Sequence, residues 1–394
     1  MKKTLLAAAL VAGFAGVAHA ESSVTLYGLV DAGYGFNHKS IKVDGVKTTT
    51  RTVGAQSGVK NGNRWGLKGS EDLGNGTSAI FQLESGFNIG NGTQGQSDDE
   101  HDRLFGRQAY VGLTGESWGT FTIGRQYNAA DAFVSGIDPF STGWSQAGAP
   151  NTFGNSVSDR YDGAIKYVSP NFGGFQFGVG VVHEDEKTKK EGKLSGDRTT
   201  GVTAGLGYNN AGLEAGFAFD YVRVKHYDGK PTTTQKAWNL GLAYDLDVVK
   251  LHAMYGQQRD GSWGGELYRD LLGAQLVDAI PGDSDEAVKD RAEANAAFHG
   301  EGYKSQAWLA GITAPVGEAG KVMFSYQGSK AKNTELFDDL RYNTHLFSLG
   351  YAHNLSKRTA VYAVASYGKV KAKYDGGRDT LKSTEVIAGL QHRF

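Results

Sequence analysis

From Val24 onward the chain alternates. Val24, Leu26, Gly28, Val30, Ala32, Tyr34 and Phe36 interleave with Thr25, Tyr27, Leu29, Asp31 and Gly33. A period of two puts every second side chain on one face, so the segment reads as a strand with one lipid-like face. The same period recurs near 63–71, 77–88, 103–114, 119–127, 160–169, 175–184, 200–209 and 212–226. It continues near 235–246, 248–259, 303–315, 320–331, 342–353, 358–370 and 383–394, which makes sixteen predicted strands.

The connections between them alternate in length. Short turns fall at 72–76, 115–119, 171–174, 209–212, 245–247, 315–318 and 354–357. Longer polar loops take the other positions, at 37–62, 89–102, 128–159, 185–199, 227–234, 260–302, 332–341 and 371–382. This asymmetry predicts an all-β, 16-stranded antiparallel transmembrane barrel of the outer-membrane type. Short turns would face the periplasm, long loops the outside, and an even strand count puts both ends on the periplasmic side. An open sheet edge in lipid leaves backbone groups unpaired, so the first and last strands are expected to join. Val24, Leu26, Leu390 and Phe394 are the expected closure residues.

Composition changes the picture in three places. Lys2 and Lys3, an apolar run from Leu5 to Val17 and the site Ala18-His19-Ala20 read as a signal peptide over 1–20, leaving one barrel domain over 21–394. Mean hydropathy is −0.40, a soluble-looking value. A barrel with lipid-facing and lumen-facing residues in alternation averages to such a value. A soluble β-sandwich or solenoid shares that average, yet neither requires the alternation of turn lengths. The 41 basic and 42 acidic residues nearly cancel, which argues against nucleic acid, and the absence of cysteine excludes disulfides and thiolate metal sites. No paired-histidine zinc signature, nucleotide loop or nucleophile elbow is present, so neither catalysis nor a metal or cofactor is expected.

Parity sorts the charges. With Trp65 and Leu67 toward lipid, Arg64 and Lys68 face the lumen. With Tyr110 outward, Arg103 and Arg107 face in. With Tyr161, Ile165 and Tyr167 outward, Arg160, Asp162 and Lys166 face in. A charge on the lipid face near the midplane costs roughly 2–4 kcal/mol, which favours these assignments. Trp65, Phe81, Tyr110, Phe121, Tyr167, Tyr351 and Phe394 are read as outward aromatics, at the interfaces or a subunit contact or, for most of them, in ordinary lipid contact.

Several segments carry a family resemblance: Val24-Thr25-Leu26-Tyr27-Gly28, Arg64-Trp65-Gly66-Leu67-Lys68-Gly69, Arg107-Gln108-Ala109-Tyr110-Val111-Gly112-Leu113 and Gly124-Arg125-Gln126-Tyr127. The chain resembles the Gram-negative general porins, and Gln391-His392-Arg393-Phe394 resembles their β-proteobacterial branch. The resemblance implies passive diffusion of ions and small hydrophilic solutes through a homotrimer in the cell outer membrane, in contact with lipid bilayer and lipopolysaccharide. It also implies a loop 3, here about Asn128 to Asp159, folded inward to narrow each pore. Matched by position, Arg64, Arg107 and Arg160 become constriction-wall arginines, with Lys68, Arg103 and Lys166 beside them. Asp131 and Asp138 become the loop acids. The family's Pro-Glu-Phe-Gly-Gly turn is replaced here by Asp138-Pro139-Phe140-Ser141-Thr142-Gly143, and the missing Glu tilts the expectation toward anions.

Loop 2 carries Asp98-Asp99-Glu100, and the resemblance suggests that Glu100 meets Arg125 of a neighbouring subunit; the alternative is a solvated acidic loop. Loop 6, 260–302, holds ten acids against three basic residues. Ser284 to Ala297 reads as a short helix, and the loop as a solvated surface segment without a metal. Two alternatives to a general porin, a substrate-specific outer-membrane channel and a surface adhesin barrel, predict different patterns. A substrate-specific channel should line its lumen with an aromatic track, and an adhesin should carry most of its mass outside.

Overall fold

The computed structural model of the protein describes residues 22–97, 102–190, 193–228, 232–261, 264–282, 284–336 and 339–394. The leader and Glu100 lie outside these.

Sixteen strands form the wall. In chain order they are β1 (Ser23–Val43), β2 (Arg64–Gly74), β3 (Thr77–Phe87), β4 (Gln108–Gly115), β5 (Gly119–Tyr127), β6 (Arg160–Val168), β7 (Phe175–Asp185) and β8 (Asp197–Asn210). They continue as β9 (Leu213–His226), β10 (Thr233–Asp245), β11 (Lys250–Arg259), β12 (Tyr303–Val316), β13 (Gly320–Asn333), β14 (Arg341–Asn354), β15 (Thr359–Tyr374) and β16 (Gly377–Arg393). Each pairs antiparallel with its neighbour, and β1 closes on β16 from Leu29↔Arg393 to Lys42↔Thr380. The seam begins with Gly28 N to Phe394 O at 3.2 Å and Phe394 N to Gly28 O at 3.1 Å. Leu390 sits opposite Ala32 in it. Val24 and Leu26 lie below the seam and pair with Gly69 and Leu67 of β2 instead.

Alternation of buried and exposed positions is clearest on the later strands. On β14, Phe347, Leu349 and Tyr351 are exposed on the outer face while Leu346, Ser348 and Gly350 are buried on the inner one. No described helix is long and apolar enough to cross a membrane, so the crossing is made by strands.

Some expected loops are extended hairpins. Val46–Ser57 pairs with the upper half of β1 across an Asp44-Gly45 turn, and β15 and β16 meet at a tight turn after Tyr374. The strand expected over 103–114 starts only at Gln108.

Among the described residues, three segments fold into the lumen. The first, 58–63, is pinned by the buried Asp31 carboxylate. Its Oδ2 accepts from Asn61 N (3.0 Å) and Gln391 Nε2 (2.9 Å), and its Oδ1 from Tyr362 Oη (2.5 Å). The second is loop 3, with helices α1 (Ala129–Phe133) and α2 (Pro150–Phe153). Ala129, Ala130, Val134, Ile137 and Phe153 pack on the inward Ala218, Ala243, Met254, Ala307 and Leu309 of the wall. Farther along, Phe140, Trp144 and Ala147 pack on Met323, Tyr362, Val364 and Ile387. Burying side chains of this size stabilises by roughly 1.5–3 kcal/mol each, which holds an otherwise polar loop inside a wet lumen.

The third is loop 6, and here the expectation of a solvated surface loop is wrong. The helix expected over 284–297 is present as α4 (Asp285–His299), capped by Ser284. A second helix, α3 (Glu266–Ala279), precedes it. Leu267, Tyr268, Leu271 and Leu272 share one helical face and are buried with Phe298 and Tyr303 against inward Ala331, Tyr342, Leu346, Val370, Ala372 and Leu381. Lys39 Nζ meets Asp270 Oδ2 at 2.7 Å, and Gln275 Nε2 reaches Asp379 Oδ2 at 2.7 Å. The start of α3 rests on loop 3: a Cβ on Gly265 would stand 2.7 Å from Thr152 O.

Candidate functional site

Between loop 3 and the wall opposite lies a polar cavity of about 450 Å³, bounded on the wall side by Arg64, Arg107, Tyr127, Arg160 and Lys166. Its other side is made by Asn61 and Gly62 of the first inward segment and by Asp131, Ser141, Thr142 and Ser158 of loop 3.

Strand parity delivers two of the cations. Arg64 opens β2 with Trp65 and Leu67 outward, and its Nε donates to Gly62 O at 3.0 Å. Lys166 lies opposite inward Thr122, and its Nζ donates to Tyr127 O at 3.0 Å. The other two arrive differently. Arg107 precedes β4, so strand parity does not govern it; it turns inward, with Nε 2.7 Å from Glu84 Oε1 and Nη2 2.8 Å from Tyr127 Oη. Arg160 lays its guanidinium 4.1 Å from the Tyr127 ring centroid and donates Nη2 to the same hydroxyl. Tyr127 thus separates two guanidinium groups while binding both. This aromatic and Glu84 are site residues that the parity reading missed. Glu84 was legible as the one inward carboxylate of β3.

Of the two loop acids, one reaches the cavity. Asp131 is held by Ser158 Oγ (2.6 Å) beside the wall cations, and burial raises its pKa above the ordinary carboxylate range. Asp138 is turned away. Its carboxylate is buried and accepts from Phe140 N (3.0 Å), Thr142 N (2.9 Å) and Ala149 N (2.9 Å), so it ties the loop together. Burial pushes it up to about 6 although those donors pull the other way.

Further expectations change, by strand register and by one bulge. Tyr110 faces the lumen, because β4 is in register with β3: it pairs with Gln82, and its Oη donates to Gln82 Oε1 at 2.7 Å. Tyr161 also faces in, with its hydroxyl 2.9 Å from Asp220 Oδ1. A bulge inserts one residue into β6 opposite Arg125, and Gly163 there has φ +57°. That insertion sends Asp162 outward, where it bridges Arg103 Nη2 (3.2 Å) and Arg125 Nη1. Arg103 is therefore on the outer face and not in the cavity. Lys68 is inward but apart from the cavity, with Nζ 5.5 Å from the Tyr27 ring centroid.

A closed sixteen-stranded barrel with a polar, charged passage and inward loops defines a membrane channel of the outer-membrane class. Comparison with known proteins agrees. A family model described as Gram-negative porin matches residues 7–373, and the chain belongs to that family. The chain is 40% identical to an outer membrane porin protein of Bordetella pertussis, over 100% of both chains. It is 29% identical to outer membrane porin protein 32 of Delftia acidovorans, again over 100% of both. Among solved structures, the anion-selective porin from Comamonas acidovorans superposes with a TM-score of 0.64 at 26% identity, covering 95% of this chain and 100% of that one. The protein is an outer-membrane porin, a water-filled channel for passive diffusion of ions and small hydrophilic solutes.

Proposed function

We propose that the cavity under loop 3 is the channel constriction and that it favours anions. One observation carries this reading: Arg64, Arg160 and Lys166 face the passage with Asp131 as the acid across from them, while Arg107 and Glu84 largely neutralise each other. The Nε of Arg160 is buried and without a protein partner, a donor that a passing anion could satisfy. The pore works by diffusion and field, without catalysis.

The assembly proposed is a homotrimer whose subunit contact uses the outer face of β1–β6, where Leu26, Val111, Leu113, Phe121 and Ile123 are exposed. Outer-leaflet lipopolysaccharide and bilayer lipid cover the rest. In that contact Arg125 already has Asp162 as a partner, so a Glu100 from the neighbouring subunit would add to an existing pair.

The test is reversal potential in a salt gradient across a planar bilayer, for the parent and for Arg64, Arg107 and Arg160 changed together to Ser. The parent should prefer anions, and the variant, with Glu84 released from its partner, should move toward cations. Current steps with unchanged selectivity would sink the constriction assignment and leave the porin intact. Steps arriving in threes support the trimer.

A further inference from the structure

Tyr127 ends β5 and lies directly opposite Arg160, the first residue of β6. Its hydroxyl oxygen accepts from Arg160 Nη2 and, at 2.8 Å, from Nη2 of Arg107, which stands just ahead of β4. The carbonyl of the same residue accepts from Lys166 Nζ at 3.0 Å. Three of the four cations on the wall side of the cavity therefore bear on one aromatic residue, and it lines the cavity with them. The neighbouring Asn128 is fully buried, with N 2.9 Å from Asp159 O and Nδ2 3.1 Å from Asp220 Oδ2. That anchorage fixes the end of β5 where loop 3 begins.

Two guanidinium N–H groups converging on one point are what a small anion binds, whether chloride or an oxygen of sulfate or phosphate. Here a neutral phenol oxygen fills the point. Such an oxygen accepts at most two hydrogen bonds and donates one. Both acceptor places are taken by the arginines, and among the described residues none receives its proton. The passage thus meets an O–H donor where it would otherwise meet two converging cations. Arg107 has its own carboxylate, with Nε 2.7 Å from Glu84 Oε1. The Nε of Arg160 stays buried and unpartnered, which leaves a charged donor for a passing ion. A channel site conducts when it binds well enough to admit an ion and weakly enough to release it.

We infer that Tyr127 sets the specificity of the passage as a positioning residue: its hydroxyl holds the anion position between Arg107 and Arg160, so that monovalent anions pass and divalent oxyanions are not retained. The inference rests on the constriction reading above and adds to it why a cluster of cations does not become a trap.

The experiment is chloride current through the folded protein in a planar bilayer, titrated with sulfate, for the parent, Tyr127→Phe, Arg160→Gln and the double variant. The Phe ring keeps the stacking on Arg160 and removes only the oxygen. The parent's conductance should rise in proportion to chloride and respond little to sulfate. In Tyr127→Phe, the sulfate concentration that halves the current should fall roughly tenfold, the worth of one hydrogen bond to a charged group. Its conductance should also saturate at lower chloride, a split between affinity and maximal current that a loosened wall would not produce. Adding Arg160→Gln to Tyr127→Phe should abolish the extra block. A parent-like sulfate block in Tyr127→Phe would overturn the inference. So would a weaker block with a reversal potential moving toward cations, which would make the tyrosine a mere spacer. Saturation or strong sulfate block already in the parent would overturn it without any variant. Arg160→Gln alone tests the underlying reading and should move the reversal potential toward cations. A parent-like potential there would remove the constriction assignment, and this inference with it, whatever Tyr127→Phe does.

Discussion

The two halves of the barrel use inward positions in opposite ways. Along β2–β6 the inner face carries the charged Arg64, Lys68, Glu84 and Lys166, and Arg64 and Lys166 line the cavity. Along β9–β16 it carries Gly216, Ala218, Gly241, Ala243, Ala307, Met323, Leu346 and Leu381, and it is covered by loops 3 and 6. Small residues on the second arc are where the loops approach closest. A Cβ on Gly216 would stand 1.8 Å from Phe133 O, and one on Gly241 2.6 Å from Ile137 Cδ1. An inward residue therefore lines water on one arc and a packed core on the other. Pore width is set by how firmly the second arc keeps its cover.

Uncovering the second arc at loop 6 should have the largest effect. Tyr268→Ala with Leu271→Ala removes two fully buried side chains and should weaken docking of α3 by roughly 5 kcal/mol. Single-channel conductance should rise, and protease should cut 266–299 in the folded barrel; a resistant loop with unchanged current would break the comparison. Asp138→Ala strips three loop 3 amides of their acceptor and should cost on the order of 3 kcal/mol, read as hydrogen exchange at Phe140, Thr142 and Ala149. The same residue gives a pH dependence of known sign. Its folded-state pKa, about 6, lies above the ordinary 3.8, so the docked loop holds more protons than the undocked one between those values. Docking should weaken as pH rises from about 4 to 6, and Asp138→Ala should remove that part of the slope. A protection profile that strengthens with pH in the parent would contradict the burial of this carboxyl.

Gly216→Ala tests the close approach on β9. Loop 3 must move off the wall, at a cost of about 1–3 kcal/mol, with noisier open-channel current as the readout. Lys39→Ala breaks a half-exposed ion pair to α3 and should shift loop 6 protection by less than about 1 kcal/mol, less still in high salt. An effect as large as that of the Tyr268 and Leu271 pair would mean that charge, rather than apolar packing, holds the loop.

Much of this molecule was readable in one dimension. Strand existence follows from the period of two, which is why all sixteen segments are found, and Arg64 and Lys166 land inside because their strands are regular up to those positions. The errors cluster where regularity ends. Arg107 reaches the cavity from outside its strand, Arg103 leaves it through a loop, and Asp162 is turned outward by a one-residue bulge at Gly163. Helix α3 was missed since Leu267, Tyr268, Leu271 and Leu272 sit among charges in a loop that reads as polar.

The sequence by itself determined the barrel: the number of strands, their order, the side each regular residue faces, and the closure that lipid demands of every backbone group. Only the tertiary structure decided which inward faces are wet, which acid meets the cations and which loops fill the lumen. Parity is a local property, carried from one residue to the next and inverted by a single insertion. Cover is a property of contacts between segments far apart in the chain, and Phe133 against Gly216 or Leu271 against Leu381 leaves no mark in the pattern of either strand alone.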